Sequence, residues 1–297
     1  MNILLTGSTG FVGKQILKDL LNKNHQVRCL VRKGSESKIS QYKNGVEMVD
    51  GDITNARSLD GTLKGCDAVI NLVGIIREYP LKGITFKRMH YEGTVNLVNA
   101  ARSQGVNRFI QMSALGARAH GKTRYQLTKF HAEEYIRSNG LDYTIFRPSI
   151  IFGTEDKFVN MFAKMLRTQQ FVPVVGNGKY QMQPVSVENV STGFVKSAEQ
   201  GDTIGKIFEV GGPEKISLNQ LIDIIAVALC VPPHKLHIPA FIMNTMAEMF
   251  DWLPFFPVTK EQITMLIEGN MCDERPFFEY FDIQPVGFKE GILKYIR

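Results

Sequence analysis

The 297-residue sequence has only four cysteines, and it has no block of five or six like charges. Cys29, Cys66, Cys230 and Cys272 are scattered and form no C-x-x-C pair. That argues against a small disulfide-stapled secreted domain and for reduced thiols in a cytoplasmic compartment. The formal net charge of +6 is modest and dispersed, so a basic tail or nucleic-acid groove is not expected. A mildly positive surface suits an anionic small molecule instead. His234 and His237 form an H-x-x-H in a proline-rich stretch with no third ligand nearby, which reads as a solvated loop; no metal is expected. The chain opens directly with strand-like "NILLT", leaving no room for a signal peptide. No internal repeat or low-complexity segment is visible.

Long hydrophobic runs are also missing. The nearest approach, residues 240–258, is interrupted by Asn244, Glu248, Asp251 and Pro254 and cannot span a bilayer. Ile242, Met246, Met249, Phe250 and Leu253 recur in it at helical spacing. With no Lys or Arg opposite them, the expectation is an amphipathic helix packed on its own protein rather than on a membrane surface. Peripheral membrane contact is not thereby excluded.

What is present is an ordinary globular composition, 44% hydrophobic and 22% charged, sufficient for a sizeable core. "NILLT", "HQVRCLVR", "VEMVDGD", "DAVINLVG", "NRFIQMSA" and "DYTIFRPS" read as strands, with helices expected at 11–24, 55–64, 85–104 and 123–139. The strands are nearly all apolar, as when both faces are covered. The alternation implies a Rossmann-type, doubly wound parallel α/β sheet over residues 1–150. Residues 151–297 read as a smaller α/β lobe, parts of 181–200 packing back on the sheet. In this lobe a helix is expected at 156–168, another capped by Ser186, and another from Ser217.

Gly7, Gly10 and Gly13 form G-x-x-G-x-x-G between the first strand and the first helix. Such a turn lets backbone approach a pyrophosphate, and the helix start offers free N–H donors. Ser8, Thr9, Phe11 and Val12 complete the candidate cofactor turn. At the end of strand two, where a carboxylate would hold a ribose 2′-OH, the sequence places Arg32 and Lys33. Cations there suit a 2′-phosphate, so NADP(H) is preferred and NAD(H) is the alternative. Tyr125 and Lys129 stand at i and i+4 on one helix face. A free phenol titrates near pH ~10, and an adjacent ammonium is expected to draw it toward neutrality.

The turn "TGSTGFVG", with Tyr125, Lys129 and Ser113 twelve residues before Tyr125, resembles extended and atypical short-chain dehydrogenases/reductases. "MSALGA", "Y-x-x-x-K-x-x-A-E", "FRPSIIFG", "MQPVSVENV" and "PVTKEQITMLIEGN" extend the resemblance over nearly the whole chain. They look like bacterial relatives of the dehydrogenase-like, NADPH-binding accessory subunit group of respiratory complex I. The resemblance implies that Tyr125 moves the proton, Ser113 orients the carbonyl or hydroxyl, and Lys129 supports Tyr125 and the ribose. It also implies cofactor contacts at Asp52 and Ile53, at Leu72, Val73 and Gly74, and at Pro148; Asp52 reads equally as a local cap. "HYEG" departs from the usual N-x-x-G, with His90 in the Asn slot, either substituting for it or impairing proton transfer.

Two function classes stay open: an oxidoreductase, and a non-catalytic nucleotide-binding module that stabilises or assembles a partner protein. A nucleotide-sugar epimerase or dehydratase is a further alternative. Phe241, Met246, Met249, Phe250, Trp252, Phe255 and Phe256 make the second half apolar. They read first as core. If they line a cleft, they suit an apolar or quinone-like small-molecule substrate better than a sugar. A homo-oligomer fits the same composition.

Overall fold

A computed structural model describes residues 1–43, 45–250 and 258–296. The chain divides into two compact units, Met1–Arg147 with Val190–Phe208, and Pro148–Asn189 with Glu209–Arg297. Six strands come first: β1 (Asn2–Thr6), β2 (Gln26–Val31), β3 (Val46–Asp50), β4 (Ala68–Asn71), β5 (Arg108–Met112) and β6 (Asp142–Pro148). Then follow β7 (Ile151–Phe152), β8 (Val172–Val175), β9 (Gln181–Met182), β10 (Val185–Ser186), β11 (Lys206–Val210), β12 (Ile216–Ser217) and β13 (Lys235–Ile238).

The central sheet has seven strands in the order β11-β6-β5-β4-β1-β2-β3. β1 through β6 pair in parallel, with Leu5 opposite both Cys29 and Ile70. β11 runs the same way: Gly205 N–H donates to Tyr143 O near one end and Ser149 N–H to Val210 O near the other. The strand order reverses at β1, flanked by β2 and β4, which opens a crevice beyond the carboxyl ends of the strands. Helices α1 (Phe11–Asn22), α2 (Gly93–Ser103) and α3 (Arg124–Ser138) belong to this unit. α1 buries Val12, Gly13, Ile16, Leu17 and Leu20, the helical-spacing stripe that a covered sheet face requires. Leu4, Val69, Leu97, Val98, Phe109 and Ile136 form part of the adjoining core.

Two helix expectations need correction. The 55–64 segment makes only a 3₁₀ turn, Ala56–Leu59, and Gly61 follows at φ +74°, a conformation that ends helical winding. The 85–104 segment begins as a π-helical turn, Lys87–Glu92, and becomes α-helical only at Gly93.

In the second unit β7 pairs with β10, β9 with β12 and β8 with β13. Phe152, Val159, Phe162, Leu221, Ile225 and Phe288 lie in its core. α4 (Phe158–Thr168), α5 (Val187–Glu199) and α6 (Leu218–Leu229) fall close to where the sequence puts helices. Ser186 Oγ accepts from Glu188 N–H at 3.2 Å, and Ser217 forms a reciprocal capping box with Gln220. His237 lies on β13, bonded to Asn219 Oδ1 at 3.1 Å, so the H-x-x-H is half strand rather than wholly loop. No helix among the described residues is long and apolar enough to cross a membrane.

α7 (Ala240–Phe250) faces the other way from the expectation. Among its described side chains Met243 and Ala247 are buried, at 7% and 0% exposure, packed with Val175 and Ile263, the latter on α8 (Lys260–Glu268); the Phe250 side chain lies outside the description. Phe241, Ile242, Met246 and Met249 are exposed, at 72%, 39%, 38% and 62%. Of the expected stripe, Ile242, Met246 and Met249 lie on the outer side, while Met243 and Ala247, four residues apart, make the inner contact. Leu253, Trp252, Phe255 and Phe256 lie outside the described residues.

Candidate cofactor and active site

The glycine turn is shaped by close approach. Gly7 has φ +74°, a conformation only glycine adopts freely. A methyl group on Gly13 would lie 2.1 Å from Gly7 O, so the start of α1 can pack on the turn only without a side chain. Gly10, the exposed N-cap of α1, has ordinary extended torsions, and a methyl there meets only Gly7 O at 3.3 Å. No side chain caps this helix start and its first turn holds no acid, so its positive end is kept for an anion. Ser8 and Val12 are buried beneath the turn, while Thr9 and Phe11 are half-buried. These features fit a dinucleotide's pyrophosphate.

Beyond β2, Arg32 and Lys33 are both exposed, and Lys33 Nζ lies 3.7 Å from Asp50 Oδ2 at the end of β3. Asp52 Oδ1 accepts from Thr54 N–H and Thr54 Oγ1–H, each at 2.9 Å. That Asx-type turn is the local cap that the sequence allowed. Ile53 is buried in the core, with a methyl on Gly93 only 2.6 Å from its Cδ1. Pro148 is buried at the end of β6.

A buried polar network, not foreseen from the sequence, ties the strand ends together. Thr6 Oγ1 donates to Asn71 Oδ1 at 2.6 Å, and Asn71 Nδ2 donates to Gln111 Oε1 at 2.8 Å. Asn71 Oδ1 also accepts from Val73 N–H at 3.3 Å, turning the chain after β4. Polar groups this deep must be bonded, so the network holds the ends of β1, β4 and β5 in one arrangement. It leads into Leu72, whose backbone carbon lies 3.1 Å from a methyl built on Gly7.

Gly74 is where the candidate residues meet. A methyl there would stand 3.1 Å from Lys129 Nζ and 3.6 Å from His90 Nε2, yet Gly74 itself is exposed. The Tyr125 ring packs edge-on to His90 at 5.2 Å between centroids and to Phe86 at 5.6 Å. Thr123, in a capping box with Gln126, starts α3 and so sets Tyr125 and Lys129 one turn apart. Lys129 Nζ donates to Met112 O at 3.0 Å.

His90 anchors this arrangement as a neutral ring. Ile75 N–H donates to its Nε2 at 3.1 Å, and its Nδ1 lies 3.1 Å from Thr128 Oγ1, which donates to Arg124 O at 2.8 Å. Nε2 also lies 3.1 Å from Ile75 O, so either neutral tautomer keeps a partner on both ring nitrogens. Burial and then the Lys129 charge hold its pKa well below the usual histidine range. The imidazole thus ties the chain after β4 to the first turn of α3.

The expected electrostatics need correction. Burial pushes the Tyr125 phenol up to about 12 rather than Lys129 drawing it down. Burial likewise pulls Lys129 down to about 8, opposed by Glu133. Ser113 is engaged too: its hydroxyl donates to Glu133 Oε1. Glu133, only 1% exposed, also accepts from Arg147 Nε at 3.0 Å and Nη2 at 2.5 Å. An ionised carboxylate only accepts, so the one Ser113 hydrogen goes to it and Ser113 offers its lone pairs elsewhere. Glu133 stands in the quoted "A-E" pair, four residues after Lys129; that i, i+4 spacing was the signal available for it.

The glycine turn and the strand ends fall within residues 7–170, which match the family model described as NAD(P)H-binding. The chain belongs to this NAD(P)H-binding family. It is 32% identical over 154 residues to a ceramide reductase of Caulobacter vibrioides, covering 52% of this chain and 47% of that protein. Over 300 residues it is 29% identical to the mitochondrial NADH dehydrogenase [ubiquinone] 1 alpha subcomplex subunit 9 of Mus musculus, covering 98% and 78%. Among solved structures, a nucleoside-diphosphate-sugar epimerase of Staphylococcus aureus superposes with a TM-score of 0.80 at 20% identity, over 99% of this chain and 100% of the other. That likeness is one of fold. The family member described here thus has the Rossmann fold of epimerase-like short-chain dehydrogenases/reductases and relatives named as complex I subunits.

Proposed function

We propose that the protein is a cytoplasmic, NADP(H)-dependent oxidoreductase acting on an apolar, quinone-like carbonyl or the matching alcohol. The observation that carries this reading is the approach of Lys129 and His90 to the exposed Gly74, with the Tyr125 ring packed edge-on to His90. NADPH, when bound, supplies the hydride. Gly7, Gly10 and Gly13 would hold its pyrophosphate, Arg32 and Lys33 its 2′-phosphate, and Lys129 its nicotinamide ribose. Asp52, Ile53, Leu72, Val73 and Pro148 would border it.

Tyr125 keeps its proton at working pH and, as the resemblance implies, would donate it to a carbonyl oxygen, although burial makes it a weaker acid than a free phenol. The hydroxyl so formed can donate to Ser113, whose own hydrogen is committed to Glu133. Four free cysteines support the reducing compartment. The test is NADPH oxidation with a panel of apolar aromatic and quinone-like carbonyls. Tyr125→Phe should lower turnover by roughly two to four powers of ten with cofactor affinity unchanged. Equal background rates for Tyr125→Phe and wild type on every compound would overturn the reading.

A second reading, a nucleotide-binding module that assembles a partner protein, draws on the exposed apolar side of α7. The full-length relative named as a complex I subunit supports it too. Under it, Tyr125→Phe is silent in every assay, including partner assembly.

A further inference from the structure

Building on the reading of Tyr125 as the proton donor, we propose that Glu78 is a positioning residue: it clamps the segment between β4 and the π-helical turn onto the start of α3 and so fixes the Tyr125 ring. That segment closes on itself first. Tyr79 N–H donates to Ile84 O at 2.7 Å and Ile84 N–H to Tyr79 O at 3.2 Å, an antiparallel bridge around the 3₁₀ turn Pro80–Lys82. Gly83 leaves that turn at φ +67°, where glycine is favoured.

Glu78 then ties this small loop to its surroundings with both carboxylate oxygens. Oε1 accepts from Phe86 N–H at 2.7 Å, and Oε2 meets Arg124 Nη2 at 2.8 Å. Phe86 stands at the start of the π-helical turn, where a backbone N–H finds no partner within the helix. The Glu78 side chain is 11% exposed and that of Arg124 72%, so the carboxylate is the inner partner and the guanidinium stays in water. Polar groups so placed are held by their bonds.

Both ends of the clamp lead to Tyr125. Arg124 is its neighbour in the chain. Phe86, 3% exposed, packs edge-on to the Tyr125 ring at 5.6 Å between centroids and stacks on His90 at 5.4 Å. His90 is itself edge-on to Tyr125 at 5.2 Å, so the three rings touch pairwise. Ring pairs are held by packing, and their geometry follows the backbone that carries them. Glu78 fixes that backbone at Phe86. A proton donor must stand within hydrogen-bond reach, and a misplacement of about 1 Å costs on the order of a hundredfold in rate.

The experiment reads Tyr125 first and the reaction second. NMR of protein with labelled tyrosine rings, the Tyr125 signal assigned by its loss in Tyr125→Phe, senses the ring currents of Phe86 and His90. Glu78→Ala should move that signal, lower kcat for NADPH oxidation with menadione by roughly tenfold to a hundredfold, and leave NADPH affinity within about twofold. Glu78→Asp keeps the charge but is a methylene too short for both partners; it should move the signal too, and it serves if Glu78→Ala does not fold. Glu78→Gln keeps the length and an oxygen acceptor for Phe86 N–H. It should hold the wild-type signal and most of kcat, because pairing with a solvated Arg124 adds little. A Glu78 that only closes its own loop would lower the melting temperature and leave the Tyr125 signal and kcat unmoved; that result in either folded variant, Ala or Asp, overturns the proposal. A wild type that reduces no carbonyl of the panel fails the oxidoreductase reading instead, and the Tyr125 signal then decides for Glu78 alone.

Discussion

The glycine turn after β1 and the cluster around Lys129 stand at the same edge of one sheet but are built on opposite principles. The turn works by lacking side chains: the space around Gly13 is already filled by Gly7, and Gly10 leaves backbone bare. The cluster works by committing side chains to one another, Ser113 to Glu133, Glu133 to Arg147 and His90 to Ile75. A site made of backbone is declared by residue type alone. A site made of paired side chains is decided by which partner each group finds, and that requires tertiary structure.

The comparison breaks most visibly at Gly13. Gly13→Val would place its Cβ 2.1 Å from Gly7 O, a backbone atom that cannot swing aside. A loss of about 4 kcal/mol or more is expected, seen as unfolding or a large drop in melting temperature. A Gly13→Val protein that melts like wild type would show the turn to be looser than described.

Smaller effects sharpen the contrast. Arg32→Ala should weaken NADPH about tenfold, roughly the 1.4 kcal/mol of one charged contact, and leave NADH nearly unchanged. Equal losses for both nucleotides would remove the 2′-phosphate assignment. Smallest of all is Met246→Gln on α7, which alters an exposed residue and should shift stability by no more than about 0.5 kcal/mol. Met243→Gln, on the buried side, should cost about 2 kcal/mol or more by placing an amide against Val175 and Ile263. If thermal melts rank these two the other way, the helix faces are wrongly assigned.

Much of the fold was legible before the structure. Runs such as "DAVINLVG" are too apolar for one-sided strands, and the intervening 3.6-residue periodicity left little besides a parallel α/β sheet. The misses share a physical cause. The 55–64 segment contains helix formers, but Gly61 at positive φ stops it. On α7 the spacing of Ile242, Met246 and Met249 located an apolar stripe, but the expectation that it packs on the protein failed because Met243 and Ala247 make that contact. Within the site, Tyr125 and Lys129 could be named from spacing and His90 from the resemblance; Lys129 and His90 approach Gly74, and Tyr125 packs on His90. The direction of the Tyr125 shift could not, because packing around the ring outweighs one neighbouring charge. Asn71 and Gln111, which join the strand ends, carried no motif at all.

The most direct test is an NADPH titration of Gly10→Val. Gly10 has ordinary extended torsions, and a Cβ there meets only Gly7 O, at 3.3 Å. A shift of a few tenths of an ångström relieves that tight contact, so the variant should fold and melt far closer to wild type than Gly13→Val. Its β-branched side chain would stand where a pyrophosphate must approach the start of α1. The account predicts a folded protein whose NADPH affinity falls by about a hundredfold or more, the loss of two charge-assisted contacts. Wild-type affinity in folded Gly10→Val would contradict it.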